Sequence, residues 1–178
     1  MTFPRSMIQL VANQDLRLMR RVQRWRPQRW VRVWMLWATR AGDGWAWYAL
    51  GLGVLLFGGA NRFIALLCAA IAEAAGAAAF LALKQRIGRK RPLEMGRVCW
   101  VSLLPPDQFS FPSGHSITAF AVVTPLMYFY PSLAIVLLFC ALSVAASRVV
   151  LGMHFLSDVL AGGAIGCGLG YVAVLTFS

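Results

Sequence analysis

Residues 62–83 of this chain read RFIALLCAAIAEAAGAAAFLAL. After Arg62 the stretch carries one charged residue, Glu73, and it is as long as the roughly 20 apolar residues that a helix needs to cross a bilayer. We therefore predict a transmembrane helix here. A charged residue inside such a helix is a candidate functional residue, and a buried hydrogen bond between helices would explain Glu73 equally well.

The composition of the whole chain indicates the same class of protein. Hydrophobic residues make up 60% of the 178 residues and charged residues 13%, which excludes a soluble domain and favours an integral membrane protein of one domain. We predict an all-α, multi-pass transmembrane helical bundle with five spans, or six if a further crossing precedes Trp45. The other four predicted crossings are residues 45–60, 116–130, 132–149 and 155–177.

The N-terminal residues 1–40 form a distinct basic segment ahead of a transmembrane domain at 41–178. Residues 6–25 place apolar side chains such as Leu10 and Leu18 on one stripe with arginines elsewhere, which predicts an amphipathic helix lying in the membrane interface. Residues 30–39 carry tryptophans at the spacing of an interfacial aromatic belt, and their arginines make them a poor span.

The net charge of +11 is concentrated in this segment and in residues 84–97. A basic surface could bind nucleic acid, but beside hydrophobic helices we expect anionic lipid headgroups as partners instead. We expect a multi-pass protein of a bacterial inner (plasma) membrane. With five spans, all Lys and Arg except Arg62 lie on one side, which favours the cytoplasm, whereas a sixth span would reverse the topology, so the side stays open.

Three glycines, Gly162, Gly166 and Gly170, share one face of the last predicted helix. Small residues at this spacing let two helices approach closely. We predict close packing within the chain, with a homodimer through this face as the alternative.

The two histidines of the chain lie in two polar clusters. His115 follows the only long polar connection, residues 84–112, and His154 follows the short turn at 151–153. Two predicted crossings separate these connections, so both emerge on the same side of the membrane. The sequence therefore predicts that His115 and His154 can meet.

The residues around the histidines suit the handling of a phosphate group. Arginine can bind phosphate through two hydrogen bonds and lysine through one strong contact, and the start of a helix offers unpaired backbone N–H groups to an anion. The candidates for these roles are Lys84, Arg91, Arg148, Ser113 and Gly114.

His154 and Asp158 have the spacing of neighbours on one helical face. A carboxylate there can hold one imidazole nitrogen and leave the other as a nucleophile, while His115 is suited to proton transfer. We find no Asp/Glu/His cluster that resembles a metal site, so we expect chemistry without metal or cofactor.

Three segments carry a family resemblance: KQRIGRKRP at 84–92, PSGH at 112–115 and SRVVLGMHFLSD at 147–158. In this order they resemble the signature motifs of the type-2 phosphatidic acid phosphatase superfamily. The resemblance implies a helical membrane phosphatase that works without metal through a phosphohistidine. It implies His154 as nucleophile, Asp158 as its orienting carboxylate and His115 as general acid. The five candidates named above would bind the phosphoryl group, with residues 84–112 as the catalytic loop.

The resemblance implies a lipid phosphate monoester or diphosphate as substrate: phosphatidic acid, phosphatidylglycerophosphate or a polyprenyl phosphate. Gly114 favours glycerophospholipids, because relatives specialised for prenyl diphosphate often carry Asp there. Two alternatives remain open, a lipid phosphotransferase with the same site and a non-catalytic protein that binds anionic lipid. A vanadium haloperoxidase has a similar anion pocket, but such relatives are typically soluble.

Overall fold

The computed structural model describes residues 5–92 and 109–178, and these residues form an all-α bundle. The seven α-helices of this part of the chain are α1 (Arg5–Arg24), α2 (Arg29–Ala41), α3 (Trp45–Phe57), α4 (Arg62–Ile87), α5 (Gly114–Phe129), α6 (Ala134–Val150) and α7 (Leu156–Phe177). The all-α prediction is confirmed. Much of the catalytic loop predicted at 84–112 lies outside the described residues, and Lys84 belongs to the last turn of α4.

Within residues 5–92 and 109–178, three helical segments are long and apolar enough to cross a membrane: Gly59–Ile87, Pro131–Val150 and Leu156–Phe177. Helices α3 and α5, with 13 and 16 residues, are shorter than the usual span. All five coincide with the crossings predicted from hydropathy, and the chain is a membrane protein. The count of five spans stays a prediction for the two short helices.

The centre of the bundle is the packing of α7 against α5. A side chain at Gly166 would lie 2.4 Å from the carbonyl oxygen of Ile117, and one at Gly162 would lie 2.6 Å from that of Ser113. The glycine face is therefore covered by α5 of the same chain, as the packing prediction requires. Because α5 occupies this face in the single chain, the packing prediction accounts for the three glycines, and a homodimer through the same face stays a prediction.

Helix α1 docks on the bundle through a face that its hydrophobic pattern does not indicate. Leu10 of the predicted apolar stripe is 59% exposed, whereas Met19 is 1% exposed among residues of α6 and α7 and Asp15 is 5% exposed. In a membrane protein an apolar stripe can face lipid while polar groups face the protein. The apolar stripe of α1 thus remains available for the interface.

The two polar connections meet at one end of the bundle. The ends of α4 and α6 and the starts of α5 and α7 lie there, and the backbone N–H of Ser113 donates to the carbonyl of Asp158 across 3.1 Å. The turn between α2 and α3 also lies at this end, with Gly44 at a φ of 119° that favours glycine. This turn brings Asp43 to the histidines.

Candidate active site

A cavity of about 330 Å³ lies at this end of the bundle, and we call it the anion cavity. Its lining contains both histidines and two of the three predicted phosphate-binding cations, together with apolar residues of α4 and α5. The functional side chains or backbone positions in the lining are Asp43, Arg91, Gly114, His115, Arg148 and His154. Three predicted site residues, Lys84, Ser113 and Asp158, lie behind this lining.

His154 lies in the loop between α6 and α7 and is 2% exposed. Its Nδ1 is 2.6 Å from the carbonyl oxygen of Ser110. A carbonyl can only accept, so Nδ1 carries the proton and donates it to Ser110. Nε2 is then unprotonated, and its lone pair accepts a hydrogen bond from Nη1 of Arg91 at 3.3 Å. The nucleophilic nitrogen of the ring therefore faces the guanidinium group of Arg91.

The surroundings of His154 keep the imidazole neutral. Burial is the main factor that lowers the pKa of His154 well below its ordinary value of 6.5, and the positive charges of Arg91 and Arg148 lower this pKa further. The hydrogen bond to Ser110 acts in the opposite direction but does not outweigh them. A neutral imidazole at neutral pH is the state that can attack phosphorus.

This depressed pKa predicts a loss of stability in acid. Below about pH 6.5 the unfolded chain binds a proton at His154 that the folded protein excludes, so the free energy of unfolding falls by up to about 1.4 kcal/mol per pH unit until the folded-state pKa is reached. Thermal denaturation of the detergent-solubilised protein between pH 7.5 and 5 should show a steeper decline for wild type than for His154→Asn. Parallel pH dependences would contradict the prediction.

Arg91 and Arg148 supply the positive charge of the cavity. Both are nearly fully buried, with 2% and 4% exposure. Nη1 of Arg91 donates to the carbonyl of Met153 at 2.9 Å, and Nη1 of Arg148 donates to the hydroxyl of Thr39 in α2. These contacts fix Arg91 to the His154 loop and Arg148 to α2, so the charges are in place before an anion binds.

Asp158 does not bond directly to the imidazole, since its Oδ2 lies 3.9 Å from Nδ1 of His154. Oδ2 instead accepts the backbone N–H of Phe155 at 2.9 Å, which closes the first turn of α7 directly after His154. Oδ1 accepts from Arg89 at 2.6 Å. The carboxylate therefore fixes the backbone next to His154. The hydrogen bond to the imidazole that the sequence predicts for Asp158 is made by the Ser110 carbonyl instead.

Arg89 connects Asp158 to the N-terminal helix. Its second guanidinium nitrogen bonds to Asp15 of α1 at 2.7 Å, and Asp15 also accepts from the backbone N–H of Ser157 at 3.1 Å. The sequence gives Arg89 no role beyond a charged flank. The structure makes it the bridge between α1 and the start of α7.

His115 is the second residue of α5, and its Nε2 lies 2.8 Å from Oδ1 of Asp43. Asp43 is 60% exposed, so it stands at the mouth of the cavity and orients the ring from outside. The carboxylate can accept Nε2–H and be replaced by a substrate oxygen. Sequence reasoning missed Asp43. The scarcity of acidic residues in an apolar chain indicates Asp43, in the same way that the scarcity of histidines indicates His115 and His154.

The remaining predicted residues support the cavity in different ways. Gly114 starts α5 and lines the cavity with backbone, where the first N–H groups of the helix are available to an anion. Ser113 is fully buried and accepts a hydrogen bond from Ser116 at 3.0 Å. Lys84 places Nζ 4.3 Å from the ring centre of Phe80, which itself lines the cavity.

The model of the PAP2 superfamily matches residues 18–178, which is most of the chain and includes every residue of this site except Asp15 of the network behind it. The chain belongs to the PAP2 superfamily.

Two curated proteins and one solved structure illustrate the relationship of this PAP2 protein to known ones. It is 33% identical to the lipid A 1-phosphatase of Rhizobium johnstonii over 100 residues, which are 54% of this chain and 41% of the relative. It is 38% identical to phosphatidylglycerophosphatase B of Bacillus subtilis over 95 residues, 47% of this chain and 44% of the relative. The matches thus span less than half the length of these relatives.

The fold similarity extends further than the sequence similarity. The crystal structure of a transmembrane PAP2 type phosphatidylglycerolphosphate phosphatase from Bacillus subtilis superimposes with a TM-score of 0.73 and 27% identity. The superposition covers 94% of this chain and 86% of the other. The helical arrangement is therefore shared over nearly the whole PAP2 chain.

Proposed function

We propose that this PAP2 protein hydrolyses the phosphate monoester or diphosphate group of a membrane lipid through a phosphohistidine at His154. One observation carries the proposal. A neutral imidazole with an unprotonated Nε2, two buried guanidinium groups and a second histidine line a single cavity at the end of an apolar bundle. Such a cavity offers charge for the non-bridging oxygens, a nucleophile and an acid.

In the first step Nε2 of His154 attacks phosphorus, the N–P bond forms, and the bond from phosphorus to the lipid oxygen breaks. His115 enters this step in its protonated form, which the carboxylate of Asp43 at 2.8 Å favours, gives its Nε2 proton to the leaving oxygen and becomes neutral. Arg91 and Arg148 hold the non-bridging oxygens with the first N–H groups of α5. The imidazole becomes positive as the N–P bond forms, and the Ser110 carbonyl 2.6 Å from Nδ1 stabilises that charge.

In the second step water attacks the phosphohistidine. His115 accepts a proton from the water, the N–P bond breaks, and inorganic phosphate leaves with neutral His154 restored. Because arginines provide the positive charge in both steps, we propose that the reaction needs no metal ion. We propose Lys84 and Ser113 as supports of the phosphate site from behind its lining, and Asp158 as the residue that orients His154 through the backbone of Phe155.

The substrate stays within the class of lipid phosphates. The relatives are named for lipid A and for phosphatidylglycerophosphate, and phosphatidic acid and polyprenyl phosphates share the same phosphate chemistry. We propose a multi-pass location in a bacterial inner membrane, with α1 at the interface. Lipid phosphotransfer and lipid binding without catalysis remain as alternatives.

A substrate panel tests the function. Purified protein in detergent with EDTA is given phosphatidic acid, phosphatidylglycerophosphate, a polyprenyl diphosphate and a lipid A 1-phosphate, and both free phosphate and the dephosphorylated lipid are measured. We expect phosphate release from at least one lipid at a rate that EDTA leaves unchanged and that is at least about 10⁴-fold above the His154→Asn variant. Dephosphorylated lipid without matching free phosphate would indicate phosphotransfer. No phosphate release and no dephosphorylated lipid from any member of the panel would favour the lipid-binding alternative.

A further inference from the structure

An apolar groove of about 500 Å³ lies between α3, α4 and α5, directly below the anion cavity. Its outer rim carries Tyr48, Leu52 and Leu55 of α3, which are 82%, 56% and 40% exposed. Large exposed apolar side chains in a membrane bundle face lipid, so the groove opens sideways into the bilayer. Its walls suit an acyl chain.

One charged group lines this groove, the carboxyl group of Glu73 in the middle of α4. Glu73 is half-buried, and within residues 5–92 and 109–178 it has no hydrogen bond or ion pair. The explanation by a buried hydrogen bond between helices therefore finds no partner in the part of the chain that the structure describes, and the explanation as a functional residue remains. A carboxyl group placed against hydrocarbon is costly unless something else bonds to it.

Glu73 lies close to the cavity that would hold the phosphate of the substrate. Gly76 and Ala77, three and four residues further along α4, line the anion cavity, and Thr118 of α5 lines both the cavity and the groove. At a rise of 1.5 Å per residue, Glu73 lies about 5 Å deeper along the same helical face. A lipid with its phosphate in the cavity and its chain in the groove must pass the carboxyl group within the first few bonds after the phosphate.

We propose that Glu73 is a substrate-selecting residue that accepts a hydrogen bond from an N–H or O–H group of the lipid, close to its phosphate. A carboxyl group is an acceptor in either protonation state, so it favours an amide-linked or hydroxylated lipid phosphate over one with ester oxygens or hydrocarbon at that place. This inference rests on the proposed function and names the substrate class of the same site. Among the glycerophospholipids that Gly114 favours, it disfavours phosphatidic acid, which has only ester oxygens close to its phosphate, and remains compatible with phosphatidylglycerophosphate, which has a free hydroxyl there.

Two pairs of synthetic lipids isolate the hydrogen bond. An N-acyl aminoethyl phosphate is compared with the O-acyl hydroxyethyl phosphate of the same chain, and the pair is repeated with a butylene spacer to cover the depth of the groove. The members of a pair differ by an N–H in place of an oxygen. We expect kcat/KM of wild type to favour the amide by about tenfold at one spacing or both.

Variants at position 73 distinguish substrate selection by Glu73 from a purely structural role of this residue. Glu73→Met should lower kcat/KM for the amide about tenfold and leave the ester unchanged or improved, and Glu73→Gln should restore part of the preference through its amide oxygen. Leu67→Ala, on the lipid-exposed side of α4, should leave the ratio as in wild type. Equal rates for amide and ester in an active enzyme would overturn the inference alone. No phosphate release from these lipids or from the natural panel would overturn the proposed function and this inference together.

Discussion

The variant His154→Asn is expected to hydrolyse lipid phosphates at least about 10⁴-fold more slowly than wild type, because it lacks the attacking nitrogen. Asparagine suits the test since its amide N–H can still donate to the Ser110 carbonyl, as Nδ1 does at 2.6 Å. The loop and the start of α7 should therefore keep their structure. Phosphate release under single-turnover conditions measures the loss.

The same variant tests the covalent intermediate. Wild type mixed with radiolabelled lipid phosphate and quenched in alkali, where a phosphohistidine survives, should carry label on the protein, and His154→Asn should carry none. His115→Asn is the matched control, because a histidine is removed from the same cavity while the nucleophile stays. A His154→Asn protein that keeps its melting temperature and more than about 1% of the activity would exclude His154 as nucleophile.

Hydropathy and chain order could predict the framework of this site. The crossings and the meeting of the two histidine loops follow from properties that are local in sequence, because a span needs only a run of apolar residues. The close contact of α7 with α5 is also readable from Gly162, Gly166 and Gly170, where a small side chain permits an approach that any other residue prevents.

The supporting contacts could not be predicted, because they depend on tertiary packing. The carbonyl that orients His154 belongs to Ser110, and a backbone carbonyl has no sequence signature. The bridge from Asp15 to Arg89 requires α1 to dock by the face that carries Asp15 and Met19, and the predicted apolar stripe with Leu10 lies elsewhere on the helix. Asp43 reaches His115 only through the glycine-rich turn between α2 and α3.

The scarcity of acidic residues indicates the supporting residues of the site better than the hydrophobic pattern does. The chain has six Asp and Glu, and all four of those within the described residues lie at the anion cavity, behind it or in the groove below it. In an apolar protein an acidic side chain is expensive, so its position carries information. Applied to Asp15 and Asp43 as it is to Glu73 and the histidines, this reasoning identifies both of them as candidates.

His115→Gln is expected to lose about 10²- to 10⁴-fold in kcat/KM for a lipid phosphate whose leaving group is an alkoxide, because that oxygen needs a proton as its bond to phosphorus breaks. An alkyl-substituted nitrophenyl phosphate, whose phenolate leaves without a proton, should lose less than about tenfold. Measuring both substrates with wild type, His115→Gln and His154→Asn distinguishes the two histidines, since removal of the nucleophile must abolish both reactions.

The ratio of the loss for the alkyl phosphate to the loss for the aryl phosphate shows whether His115 donates a proton or binds the phosphate. Its Nε2 lies 2.8 Å from Asp43, so the ring is held at the mouth of the cavity, where a lipid oxygen would leave, while Arg91 and Arg148 are buried deeper. A proton donor at that place affects the leaving group and little else, whereas a phosphate-binding group affects every substrate equally. Equal losses for the alkyl and the aryl phosphate would therefore assign His115 to phosphate binding and leave the proton to water at the exposed carboxylate of Asp43.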